Sequence, residues 1–179
     1  MRTITVALGE KTYNIEIAAG LLDQIGAKAR VLSQAVKAAI ISDSNVDPLY
    51  GESLERSLAA SGFEVTRIVF AAGEQSKNLT VLGQVYDELA RAGLTRSDLI
   101  LTLGGGVPGD LGGFAAATFL RGIDFIQVPT SLLAQIDSSV GGKVAIDLPS
   151  GKNLAGSFYQ PKAVFIDPDL LKTLPLRFL

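Results

Sequence analysis

The chain has 179 residues, 47% of them hydrophobic, which is enough for one substantial core. Sixteen basic and eighteen acidic residues leave a net charge of −2 with the signs interspersed, excluding a broad electrostatic footprint for nucleic acid. Cysteine and histidine are absent, so disulfides, thiolate metal sites, imidazole bases and imidazole zinc ligands are all excluded, and a cytoplasmic address is the default expectation.

Residues 3–8 and 13–17 alternate polar and apolar side chains about Gly9 and predict a β-hairpin. They lack the apolar run of a secretory leader, and no later stretch is long and apolar enough to span a bilayer, so no membrane partner is expected. Apolar residues at helical spacing then occupy 21–32, a short apolar run ends in an acid at 37–43, and the helical period returns over 48–61 with Gly62 behind it. A strand over 64–70, a helix over 79–92 closed by Gly93 and a buried strand over 98–103 follow. Beyond them the pattern predicts a small-residue helix over 110–120, a strand over 124–128, a short helix over 132–138 and loops around Gly141-Gly142 and Gly151.

This alternation implies an α/β fold over residues 1–179: a Rossmann-like, mostly parallel sheet with helices on both faces and an N-terminal β-hairpin. Ligands of such sheets bind beyond the carboxyl ends of the strands, so the loops that follow strands carry the candidate site. The apolar stretch 170–179, with Pro175 and no polar tail, is expected to be either a cut through a longer chain or a terminal helix docked on the core.

Three loops concentrate chemistry. In Leu103-Gly-Gly-Gly-Val-Pro-Gly-Asp110, Gly104, Gly106 and Gly109 have the G-x-G-x-x-G spacing between a strand and a helix, which lets backbone approach a pyrophosphate while helix N–H groups add positive potential. A tight structural turn would look the same. In Gly73-Glu-Gln-Ser-Lys77, Glu74 suits ribose hydroxyls and Lys77 a phosphate or carboxylate, or the two form an ordinary first-turn charge pair. Asp43 is likewise a ribose ligand or a plain cap. The third segment, 127–143, crowds hydroxyls, Asp137 and Lys143 beyond a strand, with Lys152 and Asn153 in the next loop, a set suited to an anionic, hydroxyl-rich ligand.

Read together, Gly73-Glu-Gln-Ser-Lys77, Gly104-Gly-Gly-Val-Pro-Gly-Asp-Leu-Gly-Gly-Phe114, Arg121-Gly122, Gln127-Val-Pro-Thr-Ser131, Asp137-Ser-Ser-Val-Gly-Gly-Lys143, Gly151-Lys-Asn153 and Leu171-Lys-Thr-Leu-Pro175 resemble the 3-dehydroquinate synthase family. The match is collinear from about Asp43 onward, and its Asp-Ser-Ser-Val-Gly-Gly-Lys block is the most specific part. The resemblance implies an NAD site with Asp43, Glu74 and Lys77 on the adenosine side and Gly105, Gly106, Val107, Gly109 and Asp110 at the pyrophosphate. It places Thr130, Ser131, Asp137, Ser138, Lys143 and Lys152 nearby, with Leu171 and Thr173 closing over the nicotinamide. It implies catalytic roles for Asp137, Lys143, Lys152 and Asn153, and an Arg121 that reaches the substrate phosphate of a neighbouring subunit in a homodimer.

The implied substrate is a seven-carbon keto-acid sugar phosphate in the shikimate pathway of aromatic amino-acid biosynthesis. The implied reaction is an internal redox cycle in which a hydride passes to NAD and back, with phosphate elimination and aldol closure. Two departures stand out. Pro108 removes an N–H from the glycine loop at a place where the family has an aliphatic residue, although proline also suits a first helical turn. The family's zinc or cobalt site uses histidines of a C-terminal helical domain that this histidine-free chain lacks, so the chain alone is expected to be the NAD-binding half and inactive. The remaining readings are a related sugar-phosphate cyclase, a metal-dependent polyol dehydrogenase and a non-catalytic nucleotide-binding module.

Overall fold

The computed structural model describes residues 1–175. Its first half runs β1 (Arg2–Val6), β2 (Tyr13–Ile17), α1 (Ile25–Leu32), β3 (Lys37–Asp43), α2 (Glu52–Ala60), β4 (Glu64–Phe70) and α3 (Leu79–Arg91). Its second half runs β5 (Leu99–Gly104), α4 (Gly106–Thr118), β6 (Asp124–Pro129), β7 (Lys143–Leu148), β8 (Gly151–Phe158) and β9 (Ala163–Ile166).

Seven of these strands form one sheet in the order β1-β2-β9-β6-β5-β3-β4. Only β1 is antiparallel, paired with β2 as the expected hairpin; the neighbours from β2 through β4 are parallel. The central strands β3 and β5 are covered on both faces, and strand alternation sends their side chains two ways. Ala38, Ile40, Leu99 and Leu101 pack under α1 and α2 with Ile25, Ala29, Leu54 and Leu58. Ala39, Ile41 and Ile100 pack under α3 and α4 with Leu82, Val85, Leu89 and Leu111. Each fully buried aliphatic side chain contributes about 1.5–3 kcal/mol, and the two layers together hold the sheet between its helices. Helices therefore lie on both faces, as the alternating pattern implies.

The second half departs from expectation in three places. Helix α4 begins at Gly106 rather than at 110, because Gly105 in extended backbone supplies the cap and Pro108 falls in the first turn, where a missing amide costs no intrahelical bond. The region read as loops around Gly141-Gly142 and Gly151 contains an antiparallel hairpin, β7 with β8. Its second strand is exposed along most of its length, so it carries no two-residue apolar alternation to betray it. Strand β9, Ala163–Ile166, is buried throughout and too short for periodicity to separate from a loop. At the far end, residues 168–173 form a short 3₁₀ helix; the rest of the expected terminal helix, 176–179, lies outside the described residues.

Helix α4 is the pivot of the packing. A Cβ at Gly112 would stand 2.7 Å from Thr102 Cγ2 and 3.4 Å from Ile41 Cγ2 on the sheet, and one at Gly113 would collide with Val144 Cγ1 of the hairpin. Both sheet contacts are β-branched and cannot rotate away freely. Gly112→Ala is therefore expected to destabilise the chain by about 1–3 kcal/mol through overpacking, outweighing the helix propensity it gains. Urea unfolding of both proteins measures this; an unchanged or raised midpoint would show that α4 backs off the sheet at no cost.

Candidate active site

The carboxyl ends of β3, β4, β5 and β6 open onto one edge of the sheet, and the loops leaving them carry most of the residues singled out from the sequence. Asp43 closes β3 and is nearly buried, and its Oδ1 accepts the N–H groups of Asn45 at 2.9 Å and Val46 at 3.0 Å. The plain cap is thus the role its own chain assigns to that oxygen. At the end of β5, Gly104 has φ +156° and lies under the Pro108 ring, so a Cβ there would meet proline carbons. The turn brings Gly105 and Gly106 to the start of α4, where Gly109 N–H is already bonded back to Gly105 O at 3.2 Å. The N–H groups of Gly106 and Val107 have no intrahelical acceptor and point out of the helix end with its positive potential.

Two serines face this helix end. An ideal Cβ on Gly105 would stand 3.3 Å from Ser131 Oγ, and one on Gly106 would stand 3.6 Å from Ser138 Oγ. Thr130, buried at the end of β6, donates its N–H to Gly104 O at 2.9 Å and so fixes the second loop to the first. Glycines at 105 and 106 leave open backbone between hydroxyls, a cradle that fits a phosphate or pyrophosphate.

Lys77 is 4% exposed, and its ammonium donates to Asp110 Oδ2 at 2.7 Å, with Glu74 Oε1 at 4.0 Å. The first-turn pair of Glu74 and Lys77 exists, but it is the weaker half of the arrangement. The principal partner, Asp110, comes from α4, a contact that sequence spacing does not reveal. Burial pushes the Asp110 carboxyl above the usual carboxylate range; Lys77 opposes that rise, while Glu74 and Asp147 add to it. Glu74 also meets the exposed Lys152 ammonium at 3.4 Å, so the β4–α3 loop, α4 and β8 are joined by one chain of alternating charges.

Beside this chain of charges lies a cleft of about 500 Å³ lined by Asp110, Asp137, Ser138, Lys143 and Asn153, with Leu154 and Phe158 at its apolar side. Asp137 and Ser138 come from the helical turn Ala134–Ser138, Lys143 from the start of β7 and Asn153 from β8. An exposed carboxylate, a hydroxyl, an ammonium and an amide on one wall can hold hydroxyl groups and an anion together.

Not every expected residue converges here. The Lys152 ammonium is drawn to Glu74 instead of lining the cleft. Arg121 follows α4 and precedes β6, at the amino end of that strand and so at the opposite edge of the sheet; Leu120 and Arg121 both take left-handed backbone, with φ 52° and 67°. Leu171 and Thr173 lie on the turn Pro168–Thr173, which is tied to the loop after β3 by the Tyr50 hydroxyl, 2.7 Å from Thr173 Oγ1 and 3.0 Å from Leu170 O. Sequence reading missed Gln135 and Asp167. Asp167 is 2% exposed and accepts the N–H groups of Gly20, Leu22 and Asp169, while Gln135 Nε2 donates to Asp167 O and Pro129 O. A buried polar pair of this kind anchors the 134–138 turn to the sheet, and only its burial marks it out.

Among the described residues no group of three or more His, Cys, Asp or Glu side chains is placed to hold a metal ion. These residues do not gather a ligand set for a zinc or cobalt centre, whereas the open backbone and hydroxyls at the start of α4 suit a phosphate. No helix among them is long and apolar enough to cross a membrane.

A model of the 3-dehydroquinate synthase N-terminal family matches residues 67–179. The chain is 58% identical to the 3-dehydroquinate synthase of Clostridium acetobutylicum over 179 residues, which is all of this chain and 50% of that protein. It spans about half the length of the curated relatives it matches. Among solved structures, 2-deoxy-scyllo-inosose synthase complexed with carbaglucose-6-phosphate, NAD+ and Co2+ is similar with a TM-score of 0.89 at 31% identity, over 99% of this chain and 48% of that one. The 2-epi-5-epi-valiolone synthase of Streptomyces hygroscopicus, with NAD+ and Zn2+ bound, is similar with a TM-score of 0.84 at 31% identity, over 97% of this chain and 48% of that one.

The Lys77–Asp110 pair makes a pH-dependent prediction. Because the Asp110 carboxyl sits above its unfolded value, its contribution to stability is complete below that value and is lost as pH rises through the folded one. Lys77→Met removes the opposing cation, so its cost should be largest at neutral pH, about 3 kcal/mol for an orphaned buried charge, and should shrink towards about pH 4. Urea denaturation at both pH values tests this; an equal loss at each would mean that the ammonium acts by packing alone.

Proposed function

Since the chain belongs to the 3-dehydroquinate synthase family, matching the model of that family's N-terminal part, we propose that it is the NAD-binding half of a 3-dehydroquinate synthase. On this reading residues 1–179 form the NAD-binding α/β domain of an enzyme converting a seven-carbon keto-acid sugar phosphate into 3-dehydroquinate and phosphate in the shikimate pathway. The observation that carries the reading is the convergence of Asp110, Asp137, Ser138, Lys143 and Asn153 on one cleft beside the open end of α4.

The residues divide by chemistry. The N–H groups of Gly106 and Val107, with the Ser131 and Ser138 hydroxyls, hold the cofactor's pyrophosphate. Glu74, and the oxygen of Asp43 not used by its own loop, take hydroxyls on the adenosine side, while Lys77 orders Glu74 and Asp110. Thr130 fixes the loop that presents Ser131, and Leu171 and Thr173 cover the far end of the cofactor from a turn held by Tyr50. Lys143 and Asn153 bind the substrate's anionic groups, Asp137 accepts its hydroxyls, and Lys152 reaches over from β8. When bound, NAD supplies a transient oxidation that acidifies the neighbouring C–H and so permits loss of phosphate.

The zinc or cobalt of the metal-dependent step would be held by a C-terminal helical domain, since no group of three or more potential ligands is gathered among the described residues. The exposed Leu154 and Phe158 on the cleft wall suit cover by such a domain. Arg121, at the opposite edge of the sheet, serves a neighbouring subunit's substrate phosphate in a cytoplasmic homodimer. A related sugar-phosphate cyclase is the second reading, favoured by the fold similarity to the inosose synthase; the higher identity to a dehydroquinate synthase stands against it.

Two measurements test the proposal. The full-length polypeptide carrying this chain should release phosphate from the heptulosonate phosphate without net accumulation of NADH, and Lys143→Ala should cut the rate by about a hundredfold or more, as for loss of a charged group from an active site. Net NADH would identify a dehydrogenase, and turnover of a different sugar phosphate would identify the other cyclase. The 179-residue chain alone should bind NAD weakly and release no phosphate. Pro108→Val should tighten its NAD binding about threefold to tenfold by restoring one N–H to the cradle, and an unchanged Kd by titration calorimetry would reject that role for the missing amide.

A further inference from the structure

The β7–β8 hairpin is irregular at one point, beside the cleft. Ile146 pairs with Ala155 and Leu148 with Gly151, so Asp147 alone stands opposite Lys152, Asn153 and Leu154. The surplus is taken up by Asn153, which adopts left-handed backbone at φ 56°. Asparagine tolerates that conformation better than most residues, yet it is still disfavoured and must be held by its surroundings. Asp147 supplies the hold: its Oδ1 accepts the Asn153 N–H at 2.8 Å. The same residue is fastened from the other side, since its own N–H donates to Lys77 O at 2.8 Å.

A bulge of this kind re-aims the side chains that it carries. Here Lys152 reaches Glu74 at 3.4 Å on one side of the charged chain, and Asn153 lines the cleft with Asp137 and Lys143 on the other. Asp147 itself does not line that cleft.

We infer that Asp147 is a positioning residue: by closing the bulge it aims Asn153 into the cleft and Lys152 at Glu74, and by its tie to Lys77 it registers the hairpin against the loop after β4. The inference rests on the reading of the cleft as the substrate site. Its requirement is an acceptor oxygen at the length of an aspartate side chain, and the negative charge is secondary.

The test is steady-state phosphate release by the full-length polypeptide with the heptulosonate phosphate, comparing Asp147→Ala, Asp147→Asn, Asp147→Glu and Asn153→Ala. Asp147→Ala should raise KM about tenfold, the loss of one hydrogen bond, with kcat within about twofold. Asp147→Asn should behave like the native protein because its amide oxygen accepts the same N–H. Asp147→Glu, which keeps the charge and misplaces the oxygen, should raise KM as Asp147→Ala does, and it decides the matter if the alanine variant does not fold. A residue serving stability alone would lower the melting temperature and the active fraction while leaving KM in place. A KM raised by Asn153→Ala but unmoved by Asp147→Ala or Asp147→Glu overturns the inference, as does an Asp147→Asn variant as impaired as Asp147→Ala. A KM unmoved by Asn153→Ala sinks the substrate reading of the cleft and this inference with it.

Discussion

The close approach of α4 to both of its neighbours is the constraint on which the rest of the molecule depends. Gly112 faces the β-branched side chains of Thr102 and Ile41, and Gly113 faces Val144 of the hairpin. Any larger residue in those places would push the helix away from one layer or the other. Because the helix is clamped there, its first turn is held at the mouth of β5, with open N–H groups between Ser131 and Ser138 and with Asp110 within reach of Lys77. Packing through small residues in the middle of the helix thus sets the chemistry at its end.

Charge then organises what packing has brought near. A lysine as deeply buried as Lys77 requires a partner, and Asp110 on a different element supplies it. Burial of both groups makes the pair sensitive to what surrounds it, which is why Glu74 on the same loop, and Asp147 and Lys152 on the β7–β8 hairpin, matter. The loop after β4 and the hairpin, distant in sequence, are in this way tied to one helix end, and the cleft opens beside them. Away from the cleft, Asp167 and Gln135 perform a comparable service with neutral and charged hydrogen bonds, fixing the turn that carries Asp137.

Legibility from sequence followed the strength of the local signal. Buried parallel strands such as Leu99–Gly104 announce themselves as apolar runs, and amphipathic helices such as Leu79–Arg91 by their period, capped by Asn78. The glycine loop and the Asp137 to Lys143 block were visible as motifs, and the structure brings five residues expected in the site, Asp110, Asp137, Ser138, Lys143 and Asn153, to one cleft. The exposed strand Gly151–Phe158 was hidden because an element with little buried face carries no alternation. The start of α4 was displaced because glycine and proline signal a turn until the capping geometry is known.

The sequence by itself determined the α/β class, the mostly parallel sheet with helices on both faces, the loops in which most of the chemistry lies and the exclusion of cysteine or histidine chemistry in this chain. All of these follow from residue type and from periods no longer than a helix turn, which are properties of local chain. Tertiary structure alone decided that Lys77 pairs with Asp110, that Lys152 turns to Glu74, that Arg121 stands at the opposite edge of the sheet and that Asp147 closes the bulge that aims Asn153. Those choices depend on which elements become neighbours in space. That is settled by the burial of apolar layers across the whole sheet, and no local spacing encodes it.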